Sequence, residues 1–254
     1  MSFTTDCPYN YDVFTVKQLG EHIVKIAYVR AIRESGWELE SDEQRKAPCE
    51  VVNTDKLANN LCRAKTTVRE LVLCNPWDYW CTFTISPDKY ERKDLKTYFS
   101  DFAEFLHNYN RRCTETEKVR YLLVPEKHKD ECWHMHGFIR GIRQKDLYTN
   151  RYGYLTWRQY EDKFGFISMS LVHDLERSSS YILKYMTKDS NKNVTARNAH
   201  TYYASKGLKR AVELYRGSGV FRGSWDWEDS DGFCKIKTID LRKEKLSDYL
   251  EVMK

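Results

Sequence analysis

The chain has 254 residues, of which 41% are hydrophobic, 14% aromatic and 31% charged. This composition supports a folded protein with a sizeable core and excludes a low-complexity or disordered chain. The net charge of +5, from 42 basic and 37 acidic residues, is too small to identify a nucleic-acid-binding protein by itself. No apolar stretch reaches the roughly 20 residues that a membrane-spanning helix needs, so we expect no membrane partner.

The eight cysteines are scattered and contain no Cys-x-x-Cys pair, which argues against a zinc knuckle. The first residues carry neither the basic nor the apolar segment of a secretory leader. We therefore expect reduced thiols and a cytoplasmic protein. The 18 tyrosines and 7 tryptophans could pack inside the protein or stack on unpaired bases, and the sequence leaves both open.

The N-terminal part of the chain is predicted to be a mostly helical extension over residues 1–76, packed on the core. A loose apolar stripe predicts a helix over 16–33. A charged run at 38–46 suits a loop, and a stronger three- and four-residue periodicity predicts a second helix over 55–73. Asn75-Pro76 ends that helix.

The central part of the chain alternates strand and helix patterns. Strands are predicted over 79–85, 119–126, 133–139 and 166–172. Helices are predicted over 94–111, 157–163 and 177–188. The polar run 128–131 suits a hairpin connection. A β-α-β-β-α-β order followed by a further helix predicts an α+β fold, with an antiparallel sheet and helices on one face.

The last part of the chain, residues 191–254, is predicted to be a C-terminal α/β extension. It carries a helix over 208–215, a glycine-rich turn at 217–219, a strand over 233–239 and a terminal helix.

Two histidines in the third predicted strand form a candidate metal site. His134 and His136 are two residues apart, so their side chains point to the same face. Glu126 ends the preceding strand and would face them across a hairpin. His128 has the same parity and is the alternative third ligand, but it falls in the predicted turn. Such a mixed nitrogen and oxygen set suits Mn²⁺ or Mg²⁺, with zinc, nickel or cobalt also able to bind.

The helix predicted over 177–188 carries candidate nucleophiles. Four polar side chains at helical spacing share one face: Tyr181, Lys184, Tyr185 and Lys188. An ordinary amphipathic helix with packed tyrosines and extended lysines would show the same pattern. Separate apolar residues already supply a packing face: Ile182, Leu183 and Met186. The tyrosine ordinarily has a pKa of about 10, so a nearby cation and a polarised phosphate would be needed for attack.

Three segments in this order resemble the motifs of HUH endonucleases: Thr82-Phe83-Thr84, Trp133-His134-Met135-His136-Gly137-Phe138 and Tyr181 through Lys188. More narrowly, they are similar to the rolling-circle replication initiator (Rep) proteins of phages and plasmids. The paired tyrosines resemble the two-tyrosine initiators. The resemblance covers residues 77–190, which we predict to be the endonuclease core.

This resemblance implies an RRM-like sheet with both histidines on a central strand and Mn²⁺ or Mg²⁺ as cofactor. The spacing of Glu126 from His134 resembles that of the carboxylate ligand in viral Rep proteins. The implied reaction nicks single-stranded DNA at an origin hairpin, retains the 5′ phosphate on tyrosine and leaves a 3′ hydroxyl as a primer. The implied location is the cytoplasm of a bacterial host.

The chain lacks the Gly-x-x-x-x-Gly-Lys-Ser/Thr loop that a helicase domain would carry, so a host or plasmid helicase and polymerase are expected as partners. A basic cluster could contact DNA phosphates or simply be solvated: Lys206, Lys209 and Arg210. Two other functions remain open. One is a relaxase or single-strand transposase with the same chemistry, and the other is a nucleic-acid-binding module without catalysis.

Overall fold

A computed structural model describes residues 9–33, 54–186 and 200–252. The chain forms two compact units. One unit is Asn53–Lys209, and the other combines Met1–Val52 with Arg210–Lys254. The boundaries predicted at residues 76 and 190 follow motifs along the chain rather than contacts, and they stay a prediction.

The described residues contain fourteen strands, which we number in chain order: β1 (Tyr9–Leu19), β2 (Ile23–Arg33), β3 (Tyr79–Thr84), β4 (Arg120–Lys127), β5 (Trp133–Arg140), β6 (Leu147–Thr149), β7 (Leu155–Trp157), β8 (Ile167–Leu171), β9 (Tyr203–Ala204), β10 (Val212–Gly217), β11 (Gly219–Phe221), β12 (Trp227–Glu228), β13 (Cys234–Asp240) and β14 (Leu250–Val252). The described α-helices are α1 (Thr54–Cys74), α2 (Leu95–Asn110), α3 (Arg158–Lys163) and α4 (Leu175–Ile182). Short 3-10 turns cover Gln144–Asp146, Leu183–Tyr185 and Leu246–Asp248.

The Asn53–Lys209 unit is built on a seven-stranded antiparallel sheet in the order β6-β7-β8-β3-β5-β4-β9. Its central part follows the predicted chain order β3, α2, β4, β5, α3, β8. The prediction of an α+β fold with a large antiparallel sheet is therefore confirmed. Because β5 lies between β3 and β4, residues of three strands meet on either side of its backbone.

One face of this sheet packs against α2 and α3 through aromatic side chains. The Phe83 ring lies 5.6 Å from that of Phe102 and 5.0 Å from that of Tyr160, and all three residues are fully buried. Helix α2 suits this position because its buried residues recur every three or four positions: Tyr98, Phe102, Leu106 and Tyr109. Asp94 caps the helix by accepting a hydrogen bond from the Thr97 backbone N–H at 3.0 Å.

The opposite face of the sheet carries α1 and α4 over part of its area. Apolar residues from both helices and from β4 and β5 form a second buried cluster there, including Val68, Leu122, Phe138 and Ile182. Towards the other end of β5 the same face carries polar residues, which form the candidate site described below.

The second compact unit contains a five-stranded antiparallel sheet in the order β10-β1-β2-β13-β12, and a two-stranded sheet of β11 and β14. Its buried residues form a small core of their own: Phe14, Val16, Val24, Ile26, Ile239 and Leu250.

Three predicted helices are wrong. The predicted helix over 16–33 is instead the hairpin of β1 and β2, whose turn contains Gly20 at a φ of 67°. The segment is rich in β-branched residues, and glycine takes this left-handed conformation without steric cost, so a hairpin is favoured over a helix. Residues 208–215 contribute to strand β10 rather than a helix, and the tail ends in β14. The predicted loop over 38–46 lies outside the described residues.

Among the described residues, none of the helices combines the length and apolar character required to cross a membrane.

Candidate active site

Strand β5 presents both predicted histidines on the sheet face that carries α1 and α4. Cross-strand register places His134 opposite Thr84 of β3, and His136 opposite Thr82. Each threonine hydroxyl lies 3.2 Å from the Nδ1 atom of its histidine. These two contacts orient the rings and leave the Nε2 atoms as the potential metal-binding nitrogens.

Glu126 joins this group from the other neighbouring strand. The β4–β5 ladder places Glu126 directly opposite His134, as the predicted hairpin requires. The Glu126 Oε2 atom lies 2.8 Å from the Nε2 atom of the adjacent His136. A carboxylate oxygen and a ring nitrogen that face each other at this distance can share a proton or a cation.

His128 also reaches the site, although it lies in the turn after β4. Its Nε2 atom is 3.6 Å from Glu126 Oε2, and its ring stacks on that of His134 with centroids 4.0 Å apart. Within the described ranges, ligand atoms of Glu126, His128 and His136 all lie within 4.8 Å of one another. The structure thus groups His128 with Glu126 and His136, whereas the sequence favoured His134 in that place. The predicted ligand set of Glu126, His134 and His136 stays a prediction.

Burial keeps the two strand histidines neutral. It lowers the pKa of His134 to about 4, and the neighbouring His128 and His136 act in the same direction. Burial also lowers the pKa of His136, although the Glu126 carboxylate acts in the opposite direction. Neutral imidazole is the form that binds metal, so both rings are ready for a cation at neutral pH.

The paired tyrosines lie against this histidine–carboxylate group. Helix α4 ends at Ile182, and a 3-10 turn over Leu183–Tyr185 follows. The Tyr181 and Tyr185 hydroxyl oxygens are 3.0 Å apart, and the Tyr185 ring stacks on the His136 ring with centroids 4.0 Å apart. The structure therefore brings the candidate nucleophiles to the candidate metal site.

Trp80 of β3 supports both tyrosines and was not singled out by the sequence. Its ring lies 5.2 Å from the Tyr181 ring and 6.0 Å from the Tyr185 ring. Trp80 has the same parity on β3 as Thr82 and Thr84, so all three face the site. This two-residue spacing is the signal from which the supporting role of β3 could have been inferred.

The two tyrosines differ in their surroundings. Tyr181 is 42% exposed, and the Lys184 Nζ atom lies 5.1 Å from the centre of its ring. Tyr185 is partly buried. Burial raises the pKa of Tyr185, and the hydrogen bond with Tyr181 raises it further. The fourth predicted residue of this face, Lys188, lies outside the described residues.

The predicted basic cluster is exposed but does not form one helix. Lys206 and Lys209 belong to the Asn53–Lys209 unit, whereas Arg210 belongs to the other unit. The Lys209 backbone is held by Asn75, whose side chain accepts a bond from the Lys209 N–H at 2.8 Å and donates one to its carbonyl oxygen at 3.0 Å.

Comparison with known proteins adds one finding. Residues 78–190 match the model of a family described as replication-associated protein, of the ORF2 type. The match spans the sheet, the histidine–carboxylate group and both tyrosines, and it covers less than half of the chain. It supports a replication initiator family, with a role in replication initiation and in contacts with nucleic acid and the replication machinery. No curated protein and no solved structure matches the chain.

Proposed function

We propose that this protein nicks and rejoins single-stranded DNA at a specific site through a 5′-phosphotyrosine intermediate, and so initiates rolling-circle replication of a phage or plasmid. One observation carries the proposal: Tyr185 stacks on His136 while its hydroxyl lies 3.0 Å from that of Tyr181. A packing helix alone would not require two hydroxyl groups beside a histidine–carboxylate cluster.

The residues present suit Mn²⁺ or Mg²⁺. Glu126 supplies a carboxylate, and His136 supplies a buried imidazole whose Nδ1 is held by Thr82. We propose His134 as the third ligand, with His128 as the alternative supported by its distance to Glu126. The mixed nitrogen and oxygen set is one that Mn²⁺ accepts readily. A bound divalent ion would polarise a phosphate oxygen and so make the phosphorus a better electrophile.

The tyrosines supply the covalent step. A tyrosine oxygen attacks the phosphorus, a new bond forms between them, and the bond from phosphorus to the 3′ oxygen breaks. The tyrosine gives up its proton and the departing 3′ oxygen gains one, so the products are a 5′-phosphotyrosine and a 3′ hydroxyl. Attack of a 3′ hydroxyl on this linkage reverses the step and releases the tyrosine. Lys184, beside Tyr181, would favour the ionised oxygen and bind the phosphate, and we propose the same for Lys188.

Both tyrosines are proposed to be competent. Because their hydroxyl oxygens lie 3.0 Å apart, one tyrosine could hold a strand while the other attacks a second junction at the same place. Such an exchange is what an initiator needs to begin and finish a replication round.

The remaining parts of the reaction are assigned to partners. A host or plasmid helicase would unwind the DNA, and a polymerase would extend the 3′ hydroxyl, in the cytoplasm of a bacterial host. The exposed Lys206, Lys209 and Arg210 side chains would contact phosphates of the bound strand.

The proposal is tested with end-labelled single strands that tile the replication region of the parent phage or plasmid. With Mn²⁺, the wild-type protein is expected to form an adduct that survives denaturing electrophoresis, and mass spectrometry is expected to map it to Tyr181 or Tyr185. The combined Tyr181→Phe and Tyr185→Phe variant should form none. A control with Tyr152→Phe and Tyr154→Phe, two exposed tyrosines of the same unit, should react as wild type.

An adduct that persists in the Tyr181 and Tyr185 double variant would contradict the mechanism. Binding of the strands without any adduct would favour the non-catalytic binding module. Adducts confined to mobilisation origins or transposon ends would favour the relaxase or transposase.

A further inference from the structure

A cavity of about 460 Å³ begins one hydrogen bond from the candidate site. Thr84 lines this cavity, and its hydroxyl group contacts the His134 ring at 3.2 Å. Other lining residues come from the segment after β3 and from the α3–β8 connection: Ser86, Lys89, Arg92, Glu161 and Phe166. The volume is within the usual range for small-ligand pockets, about 300–1,000 Å³, so one nucleotide fits.

Two cations and one carboxylate set the charge of the cavity wall. The Lys89 ammonium donates to the carbonyl oxygens of Glu161 and Asp162, at 2.5 and 2.8 Å. The Glu161 carboxylate accepts a hydrogen bond from the Tyr148 hydroxyl. These contacts hold Lys89 and Glu161 in place, so they form a fixed wall rather than a mobile pair.

Arg92 is the cation with capacity for a new partner. Its side chain is 27% exposed, and its ion pair with Asp130 is long, at 3.8 Å. Its Nε atom has no hydrogen-bond partner within the part of the chain that the structure describes. A guanidinium held this loosely can bind a phosphate at little cost in existing interactions.

Exposed aromatic rings line the approach to the cavity. Phe166 is 39% exposed, and the neighbouring Tyr154 is 53% exposed, with the two ring centroids 6.1 Å apart. The Phe166 backbone is anchored, because its carbonyl oxygen accepts a hydrogen bond from the Thr84 N–H at 2.8 Å. Gly165 permits this close approach: a Cβ atom there would lie 2.5 Å from the Thr84 carbonyl oxygen. Single exposed aromatics are common on protein surfaces, but an anchored ring between a second ring and a phosphate-binding cation is typical of unpaired-base recognition.

We propose that this cavity binds the nucleotide next to the cleaved phosphate, with Arg92 on its phosphate, Phe166 stacked on its base and Tyr154 stacked on the following base. The occupant is therefore unpaired DNA, and its position relative to the cut rests on the proposed function. The cavity would hold the strand in register while the tyrosines react.

The test uses the full chain with Tyr181→Phe and Tyr185→Phe, so that binding is measured without cleavage. The probe is a fluorescein-labelled 20-nucleotide thymidine strand, and a second strand carries one 5-iodouracil for photocrosslinking. Crosslinks are expected on Phe166 or Tyr154. Adding Phe166→Ala should weaken binding by about 5-fold to 150-fold, the range for loss of one base–aromatic stack. Adding Arg92→Gln should reduce the slope of log affinity against log salt by about 1.

The matched control is Phe233→Ala, which removes a phenylalanine of similar exposure, 41%, from the other compact unit. It should leave affinity within about twofold of the parent. A Phe166→Leu variant keeps apolar volume without a flat stacking face, so its loss of affinity together with an unchanged melting temperature would separate stacking from misfolding.

Equal affinity of the Phe166→Ala and Phe233→Ala proteins, or crosslinks only at other surfaces, would overturn the nucleotide site. Displacement of the strand by thymidine monophosphate at equal concentration would also overturn it, because the site would then serve a free nucleotide. Failure of the proposed function looks different: the wild-type protein would form no phosphotyrosine adduct while the crosslink map stayed as expected.

Discussion

The two faces of the seven-stranded sheet use the same strands for opposite purposes. Phe83 and Met135 point into a sealed aromatic core, whereas the adjacent Thr82, His134 and His136 point to the candidate site. Because side chains alternate along a strand, a shift of one residue in register would exchange core and site completely. The packed face therefore specifies where the reactive face lies. Stability and chemistry are expected to separate by face, and three predictions address that separation.

The largest effect is expected from removing an aromatic ring on the packed face. Phe102→Ala deletes a fully buried side chain that contacts Phe83, Tyr98 and Tyr160. We expect the free energy of unfolding to fall by about 3–5 kcal/mol, measured by urea denaturation. Adduct formation per folded molecule should remain. A Phe233→Ala control, at an exposed position, should change stability by less than about 0.5 kcal/mol. Similar losses in both variants would show that the packed face does not dominate stability.

A smaller effect, of a different kind, is expected from the reactive face. Thr82→Val keeps the side-chain shape and removes the hydroxyl contact to His136. We expect Mn²⁺ affinity, measured by calorimetry in the absence of DNA, to fall by about 10-fold to 100-fold, as when an outer-shell partner of a metal ligand is lost. Unfolding free energy should change by no more than about 1 kcal/mol.

The control for this variant is Thr66→Val, at an exposed position of α1. It should leave Mn²⁺ affinity unchanged. Unaltered metal affinity in Thr82→Val would mean that the threonine does not position the histidine.

The smallest effect at neutral pH is expected from a buried hydroxyl pair on the packed face. The Tyr98 and Tyr160 hydroxyl oxygens lie 2.8 Å apart, and burial raises the pKa of both groups. Replacing both tyrosines by phenylalanine removes donor and acceptor together, so stability at pH 7 should change by only about 1 kcal/mol.

The difference should appear at alkaline pH. A tyrosine pKa that is raised by folding contributes stability below its unfolded value of about 10, and this contribution is lost as pH rises above that value. The wild-type protein should therefore lose more stability above pH 10 than the double variant. The exposed pair Tyr152→Phe and Tyr154→Phe is the control and should follow the wild-type curve. Parallel curves for the buried and exposed pairs would refute the argument.

Much of the central unit could be predicted because its patterns are local. Strand β5 and the paired positions of His134 and His136 follow from alternation, which needs only neighbouring residues. Helix α2 follows from its cap and apolar spacing in the same way. The segment 16–33 failed because its apolar spacing suits both a helix and a strand, and pairing with distant strands decided the outcome.

The sequence by itself determined the order of the central elements, the shared face of His134 and His136, and the candidate nucleophiles Tyr181 and Tyr185. Only the tertiary structure decided which threonine meets which histidine, that His128 enters the carboxylate cluster, and that Tyr185 stacks on His136. The physical reason is range. Alternation and helical spacing arise from backbone geometry within a few residues, whereas register and helix placement depend on contacts between residues far apart in the chain.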